Sequence, residues 1–139
     1  MAVVTRRVEV RSRNENDVVD ITKEVQKAVR ESDLKNGTAT VFVPGSTAAV
    51  TTMEYEPGLM EDFARMLERV SPTGISYEHQ KAWQDDNGRS HVKASLLGPS
   101  LSVPFVGGLL TLGAWQQIVF VELDIRPRTR KIVVQMVGE

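Results

Sequence analysis

Residues Val4 to Ser12 alternate in character, with Val8 and Val10 set against Arg7, Glu9 and Arg11, the two-residue period of a strand that is wet on one side. Beyond Asp20, the side chains of Ile21, Val25, Ala28 and Val29 collect on one helical stripe, and the Asp20 carboxylate is suited to cap the free amides at its start. Asn36-Gly37 predicts the turn that ends this helical unit. β-Branched residues dominate Thr38 to Val43 and predict a short strand. Pro44-Gly45 then forces a tight corner over Val43 to Ser46, before a second extended piece from Ala48 to Met53. After Pro57-Gly58, the residues Leu59, Met60, Phe63, Met66, Leu67 and Val70 recur at three and four, opposite Glu61, Asp62, Arg65, Glu68 and Arg69. This spacing predicts a second helix, stopped by Ser71-Pro72.

From Thr73 to Ser90 no apolar period survives, which predicts a long loop that is either functional or disordered. The remainder reads as strands: His91 to Leu97, Leu101 to Phe105, Leu109 to Leu112, Gln117 to Asp124 and Lys131 to Val137, with Gly107-Gly108 as a hairpin turn. Two helices early and five strands late predict one α+β domain over residues 1–139, its antiparallel sheets covered on part of one face.

Composition narrows the classes. With 139 residues, 41% hydrophobic, 25% charged and a net charge of -1, the chain has enough apolar material to fold and no bulk charge to hold nucleic acid. Cysteine is absent, which excludes disulfides, thiol catalysis and cysteine-ligated zinc and suits a reducing, cytoplasmic setting. Met1 to Arg7 has its basic residues behind a very short apolar stretch, the wrong order for a secretory leader. The most apolar window, Ile118 to Ile125, is broken by Glu122 and Asp124 and is too short to span a bilayer.

Candidate chemistry gathers around the polar stretch. His79 and His91 bracket it, with Trp83, Asp85, Asp86 and Asn87 between them and Lys93 just beyond, so ligands for a metal or a phosphate could converge there. Twelve positions between the histidines match no compact zinc signature. Asp85 and Asp86 are adjacent, so in extended chain only one can enter a common site, and Asp86-Asn87-Gly88 is equally a turn former. Glu54 and Glu56 close a β-rich stretch as ordinary strand-end acids. Trp115 is either a core ring at a β-bulge or a platform for a flat heterocycle whose edge Gln116 would bond. Arg126, Arg128, Arg130 and Lys131 read as a solvated hairpin end, good only for a weak, salt-sensitive phosphate contact.

Taken in order, these pieces resemble a known family. Thr47-Ala48-Ala49-Val50-Thr51 with Glu54, Tyr77-Glu78-His79, Asp86-Asn87 leading to His91-Val92-Lys93-Ala94-Ser95-Leu96-Leu97-Gly98-Pro99, and Gly113-Ala114-Trp115-Gln116-Gln117 are similar to the YjbQ family, UPF0047, also called the secondary thiamine-phosphate synthase family. The resemblance runs from about Val41 to Gln135.

It implies a mixed, mainly antiparallel β-sandwich with two helices, assembled as a homotrimer with a polar pocket near the subunit boundary. It also implies an activity joining hydroxymethylpyrimidine diphosphate to thiazole phosphate with release of diphosphate. On that footing His79, His91, Glu54 and Lys93 are the catalytic candidates, and Trp115, Gln116, Thr47 and Asn87 the substrate-binding ones. A divalent zinc, manganese or magnesium ion would fall to His79, His91, Glu54 and Asp86, and no organic cofactor is expected. Family members commonly carry a third histidine where this chain has Gly45, and a threonine where it has Ala114. Small-molecule substrates are the expected partners, with neither membrane nor nucleic acid. The alternative is a non-catalytic small-molecule or metal-binding homo-oligomer.

Overall fold

The computed structural model describes residues 1–139 as two antiparallel sheets, layered with four helices. Strand β1 (Ala2–Arg11) is the outer strand of a five-stranded sheet ordered β1-β8-β3-β5-β6, with β3 at Asn36–Phe42, β5 at Ser100–Val106, β6 at Leu109–Leu110 and β8 at Thr129–Gly138. The smaller sheet is β2-β7-β4, from Val18–Asp20, Gln117–Glu122 and Ala48–Met53. Helices α1 (Thr22–Glu31), α2 (Pro57–Val70), α3 (His79–Trp83) and α4 (Gly88–Leu97) complete the chain. None is long and apolar enough to cross a membrane.

Strand β7 explains the layering. Its Ile118 and Phe120 enter the main core with Val25 and Val29 of α1 and Val41, Phe105, Ile132 and Val134 of the large sheet. Val119 and Val121, pointing the other way, join Leu67 of α2 and Ala94 of α4 in a second cluster. A strand buried on both faces reads as a continuous apolar run, which is how residues 118–121 appear in the sequence. The small sheet is thus the middle layer, between the large sheet with α1 and the pair α2 and α4.

The α+β, sandwich-like expectation holds, and several element boundaries fall close to where the pattern put them. Asp20 acts at the start of α1 through Oδ1, which accepts from Thr22 N at 2.9 Å. Glu56, which looked like a plain strand-end acid, is the N-cap of α2: its carboxylate accepts from Gly58 N at 3.1 Å and Leu59 N at 2.8 Å.

Three expectations are corrected. Asn36-Gly37 is not the helix-ending turn; α1 stops at Glu31, Asp33 takes the left-handed conformation, and Asn36 already pairs in β3. The stretch from Thr73 to Ser90 is not all loop, since it contains α3 and opens α4. His91 to Leu97 is helix rather than strand, so the chain has four helices instead of two. The buried positions of α4 include Ser90, Lys93 and Ala94, with Leu97 half-buried, a three-and-four spacing whose first two members are polar and therefore hide the period.

Candidate functional site

One end of the sandwich carries an open, strongly polar cleft of about 380 Å³. Three chain segments meet there: the β3–β4 corner with Gly45, Ser46 and Thr47; α3 and the turn into α4 with His79, Trp83, Asp85, Asn87 and His91; and the β7–β8 corner with Asp124, Arg128 and Arg130.

The wall is an imidazole pair. The ring centroids of His79 and His91 lie 4.5 Å apart with their planes inclined by 52°. Gly88 makes this possible, because a Cβ at that position would sit 2.6 Å from Tyr77 Cβ and 3.3 Å from His79 Cβ. Without a side chain there, the start of α3 closes onto the first turn of α4. Tyr77 is fixed in turn by its hydroxyl, which donates to Pro72 O at 2.6 Å and meets Ser71 Oγ at 3.0 Å. Gln84 and Asp86 take left-handed backbone conformations between the helices, and this tight turn aims Asp85 inward. Asp85 Oδ1 lies 3.6 Å from His79 Nε2. With its amide nitrogen toward Asp85, Asn87 donates to Oδ1 at 2.8 Å and stands 3.3 Å from His79 Nε2.

The floor is ionic and rigid. Asp124 and Glu122 are almost wholly buried, and each holds a guanidinium. Arg128 Nε and Nη2 reach Asp124 Oδ2 at 3.0 and 2.8 Å. Arg130 donates to Glu122 through Nε at 3.1 Å and Nη2 at 2.5 Å, and its Nη2 also donates to Thr47 Oγ1 at 2.9 Å. The Thr47 hydroxyl donates to Asp124 Oδ2 at 3.1 Å, and Ser12 Oγ donates to Glu122 Oε1 at 2.8 Å. Burial alone would raise the pKa of Asp124, but bonds from Ile125 N–H, the Thr47 hydroxyl and Arg128 outweigh it and hold the carboxyl below its ordinary value.

Behind α4 lies a second ionic group. Arg89 donates to both oxygens of Glu15 at 2.8 and 2.9 Å and to Asp86 O at 3.2 Å, so it ties the turn carrying Asp85 to the β1–β2 loop. Its hydrogen bonds to Glu15 raise its pKa despite burial. Lys93 Nζ, fully buried, lies 3.5 Å from the same carboxylate and makes no hydrogen bond.

The sequence-based site residues therefore divide. His79, His91, Thr47 and Asn87 meet in the cleft. Lys93 does not: in a strand it would share a face with His91, but in a helix two positions are about 200° apart, and the side chain is buried against Glu15. Asp86 is exposed and its neighbour Asp85 takes the inward place. Glu54, Trp115 and Gln116 lie at the other end of the β4–β7 pair, where Met53 pairs with Gln117, while Ala48 pairs with Glu122 at the cleft. At about 3.3 Å per residue, those ends are roughly 17 Å apart. Trp115 is three-quarters exposed rather than a core ring. Gln116 lines a separate pocket of about 340 Å³ with Thr52, Ser100, Ser102 and Thr111. The aromatic side chain at the cleft is Trp83.

The metal set His79, His91, Glu54 and Asp86 does not converge, and no three His, Asp or Glu side chains approach closely enough to hold an ion. At position 45, where a third imidazole would stand, the chain has glycine packed against Arg130. The residues present do not fit a three-histidine centre, and the chemistry available is that of imidazoles, a carboxylate and guanidinium groups.

Asp124, Arg128, Arg130 and Glu122 were missed as site residues. Signals for them exist. Two acids inside an apolar run must be paired if the run is buried, and Arg130 continues the period-two face of Ile132, Val134 and Met136. The basic cluster is not simply a solvated hairpin end; Arg126, Arg128 and Lys131 are exposed, but Arg128 is bonded to buried Asp124 and the Arg130 side chain is only 10% exposed.

Comparison with known proteins agrees with this architecture. Residues 6–139 match the family model described as UPF0047 protein YjbQ-like. A UPF0047 protein of Methanothermobacter thermautotrophicus is 39% identical over 139 residues, covering 100% of this chain and 95% of that one. One from Archaeoglobus fulgidus is 40% identical over 119 residues, 86% of this chain and 90% of its own. Among solved structures, a YbjQ-like protein of unknown function from Sulfolobus solfataricus superposes with a TM-score of 0.94 at 36% identity, covering 99% of both chains. A hypothetical protein from Aeropyrum pernix gives 0.91 at 35% identity, covering 98% of this chain and 99% of that one.

Proposed function

The chain belongs to the UPF0047 YjbQ-like family, and from that premise we propose that its cleft binds a phosphorylated small molecule and supports a thiamine-phosphate-synthase-like condensation. The ring nitrogen of a thiazole phosphate attacks the methylene carbon of hydroxymethylpyrimidine diphosphate. A C–N bond forms, the C–O bond breaks, and diphosphate leaves with the electron pair. Such a reaction needs stabilisation of the leaving group's charge more than it needs a strong base.

One observation carries this reading: an imidazole pair 4.5 Å apart shares one cleft with two guanidinium groups clamped by buried carboxylates. The guanidinium groups supply charge-assisted hydrogen bonds to phosphate oxygens. His79 and His91, paired on the cleft wall, are the groups placed to donate a proton to the departing diphosphate. Trp83 replaces Trp115 as the ring platform, and Asp85 with Asn87 orients His79. Lys93 takes no part in the chemistry, because it is sealed from the cleft.

The test is purified protein supplied with both substrates and magnesium, scored for thiamine phosphate and diphosphate. Turnover above the blank that disappears in His91→Ala supports the reading. Turnover equal to the blank, or unchanged in that variant, removes it.

A second reading, a non-catalytic binding protein, is favoured by the distance of Glu54, Trp115 and Gln116 from the histidines. It calls for saturable ligand binding that raises the melting temperature with no product formed. Assembly as a homotrimer belongs to both readings. Met66, Val70, Val92 and Leu96 stand exposed on α2 and α4, apolar side chains that further copies of the chain would cover. A monomeric mass in sedimentation equilibrium would remove it.

A further inference from the structure

Gly45 lies at the cleft with φ of +124°, and a Cβ there would come within 2.8 Å of Arg130 Nη1. The other two nitrogens of that guanidinium are engaged, Nε with Glu122 and Nη2 with Glu122 and Thr47. Nη1 has no protein partner, and it is the nitrogen that a side chain at position 45 would meet. Arg128 is held by one carboxylate oxygen only: Nε donates to Asp124 Oδ2, Nη2 lies 2.8 Å from the same atom, the side chain is 45% exposed, and Nη1 has no protein partner. Both anchoring carboxylates are buried, and the Arg130 guanidinium, itself enclosed, cannot swing without leaving a buried charge behind.

We propose that Gly45 is the specificity-determining position of the cleft: lacking a side chain, it leaves Arg130 Nη1 free to act with the more exposed Arg128 Nη1 as a two-pronged seat for phosphoryl oxygens. This rests on the reading of the cleft as a phosphate-ester site, and adds which atoms hold the phosphate and which residue keeps them available.

The electrostatics decide what kind of seat it is. Each guanidinium is neutralised by its own carboxylate, so little net field reaches out from the floor. What remains is two directional, charge-assisted donors whose value depends on position to within a few tenths of an ångström. A Cβ at position 45 must therefore push Nη1 away or be pushed itself. The expected ligand is a terminal phosphate or diphosphate on a small molecule, bound with only weak dependence on salt.

Inorganic pyrophosphate is the probe, titrated calorimetrically into metal-free protein. The wild type binds saturably, and Gly45→Ala binds at least about tenfold more weakly. Gly74→Ala is the control for backbone strain, since Gly74 also has a positive φ, +79°, but has nothing within 4 Å of its Cβ position. It retains wild-type affinity. Arg130→Lys keeps the charge beside Glu122 but removes the free prong, and weakens binding similarly, so the proposal remains testable if Gly45→Ala fails to fold. Unchanged affinity in a folded Gly45→Ala or in Arg130→Lys overturns it, as does absence of binding to the wild type. Pyrophosphate binding that depends on Gly45 without any condensation would remove the proposed reaction and leave this seat intact. Condensation with a Gly45→Ala affinity equal to wild type would do the reverse.

Discussion

His79 and His91 face one another across 4.5 Å although twelve positions separate them in sequence, because Gly88 lets two short helices close together. If the pair works as a unit, its members are not independent. His79→Ala and His91→Ala are each expected to lower condensation turnover by about 10²-fold or more. The double variant should fall little below the worse single one. Steady-state rates of the three proteins, with melting temperatures to confirm folding, check this.

Gly88→Ala is expected to act on the same pair from a distance. A methyl group 2.6 Å from Tyr77 Cβ cannot be accommodated without moving α3, which predicts a loss of about 1–3 kcal/mol in stability. Urea denaturation measures the loss. Proton NMR should also lose the close contact between the two imidazoles.

Glu15 and Lys93 give opposite expectations from one ion pair. Glu15→Ala leaves fully buried Lys93 without its counter-charge and Arg89 without its bidentate partner, and should cost about 3–5 kcal/mol. Lys93→Met keeps the Glu15–Arg89 pair and removes a buried ammonium that makes no hydrogen bond, so its stability should match or exceed that of the wild type. Denaturation midpoints of the two variants separate the cases.

Asp124 sets an acid limit on the cleft floor. Its folded pKa is depressed, so its contribution to stability is fully present above the ordinary carboxyl value near 3.8 and is lost as pH falls through the lower folded value. Stability measured from pH 6 down to pH 2 should therefore fall less steeply at the acid end in Asp124→Asn than in wild type. At neutral pH the variant should be less stable by about 1–3 kcal/mol, because Arg128 and Thr47 lose a charged acceptor.

What the sequence reveals follows what its side chains advertise. The alternation of β1 and the apolar stripe of α1 are visible because exposed and buried positions differ in polarity. Helix α4 was hidden because its buried stripe begins with Ser90 and Lys93, which a polarity pattern assigns to water. At the site, it is this helix geometry that separates Lys93 from His91. The misplacement of Glu54 and Trp115 has another cause. Strand register decides which end of a strand meets which corner, and no local pattern in residues 48–53 states that Ala48 rather than Met53 will face the histidines. The floor residues were within reach, because Glu122 and Asp124 interrupt an apolar run and Arg130 keeps the core-facing parity of β8.

Glu122 belongs to β7 in the small sheet and Arg130 to β8 in the large one, so their bond is also a clasp between the two leaves of the sandwich. An occupant that accepts a hydrogen bond from Arg130 while the clasp stays shut would fasten the leaves together. Slower amide exchange along β7 and β8, far from any atom the occupant touches, would then be the signature of a filled cleft.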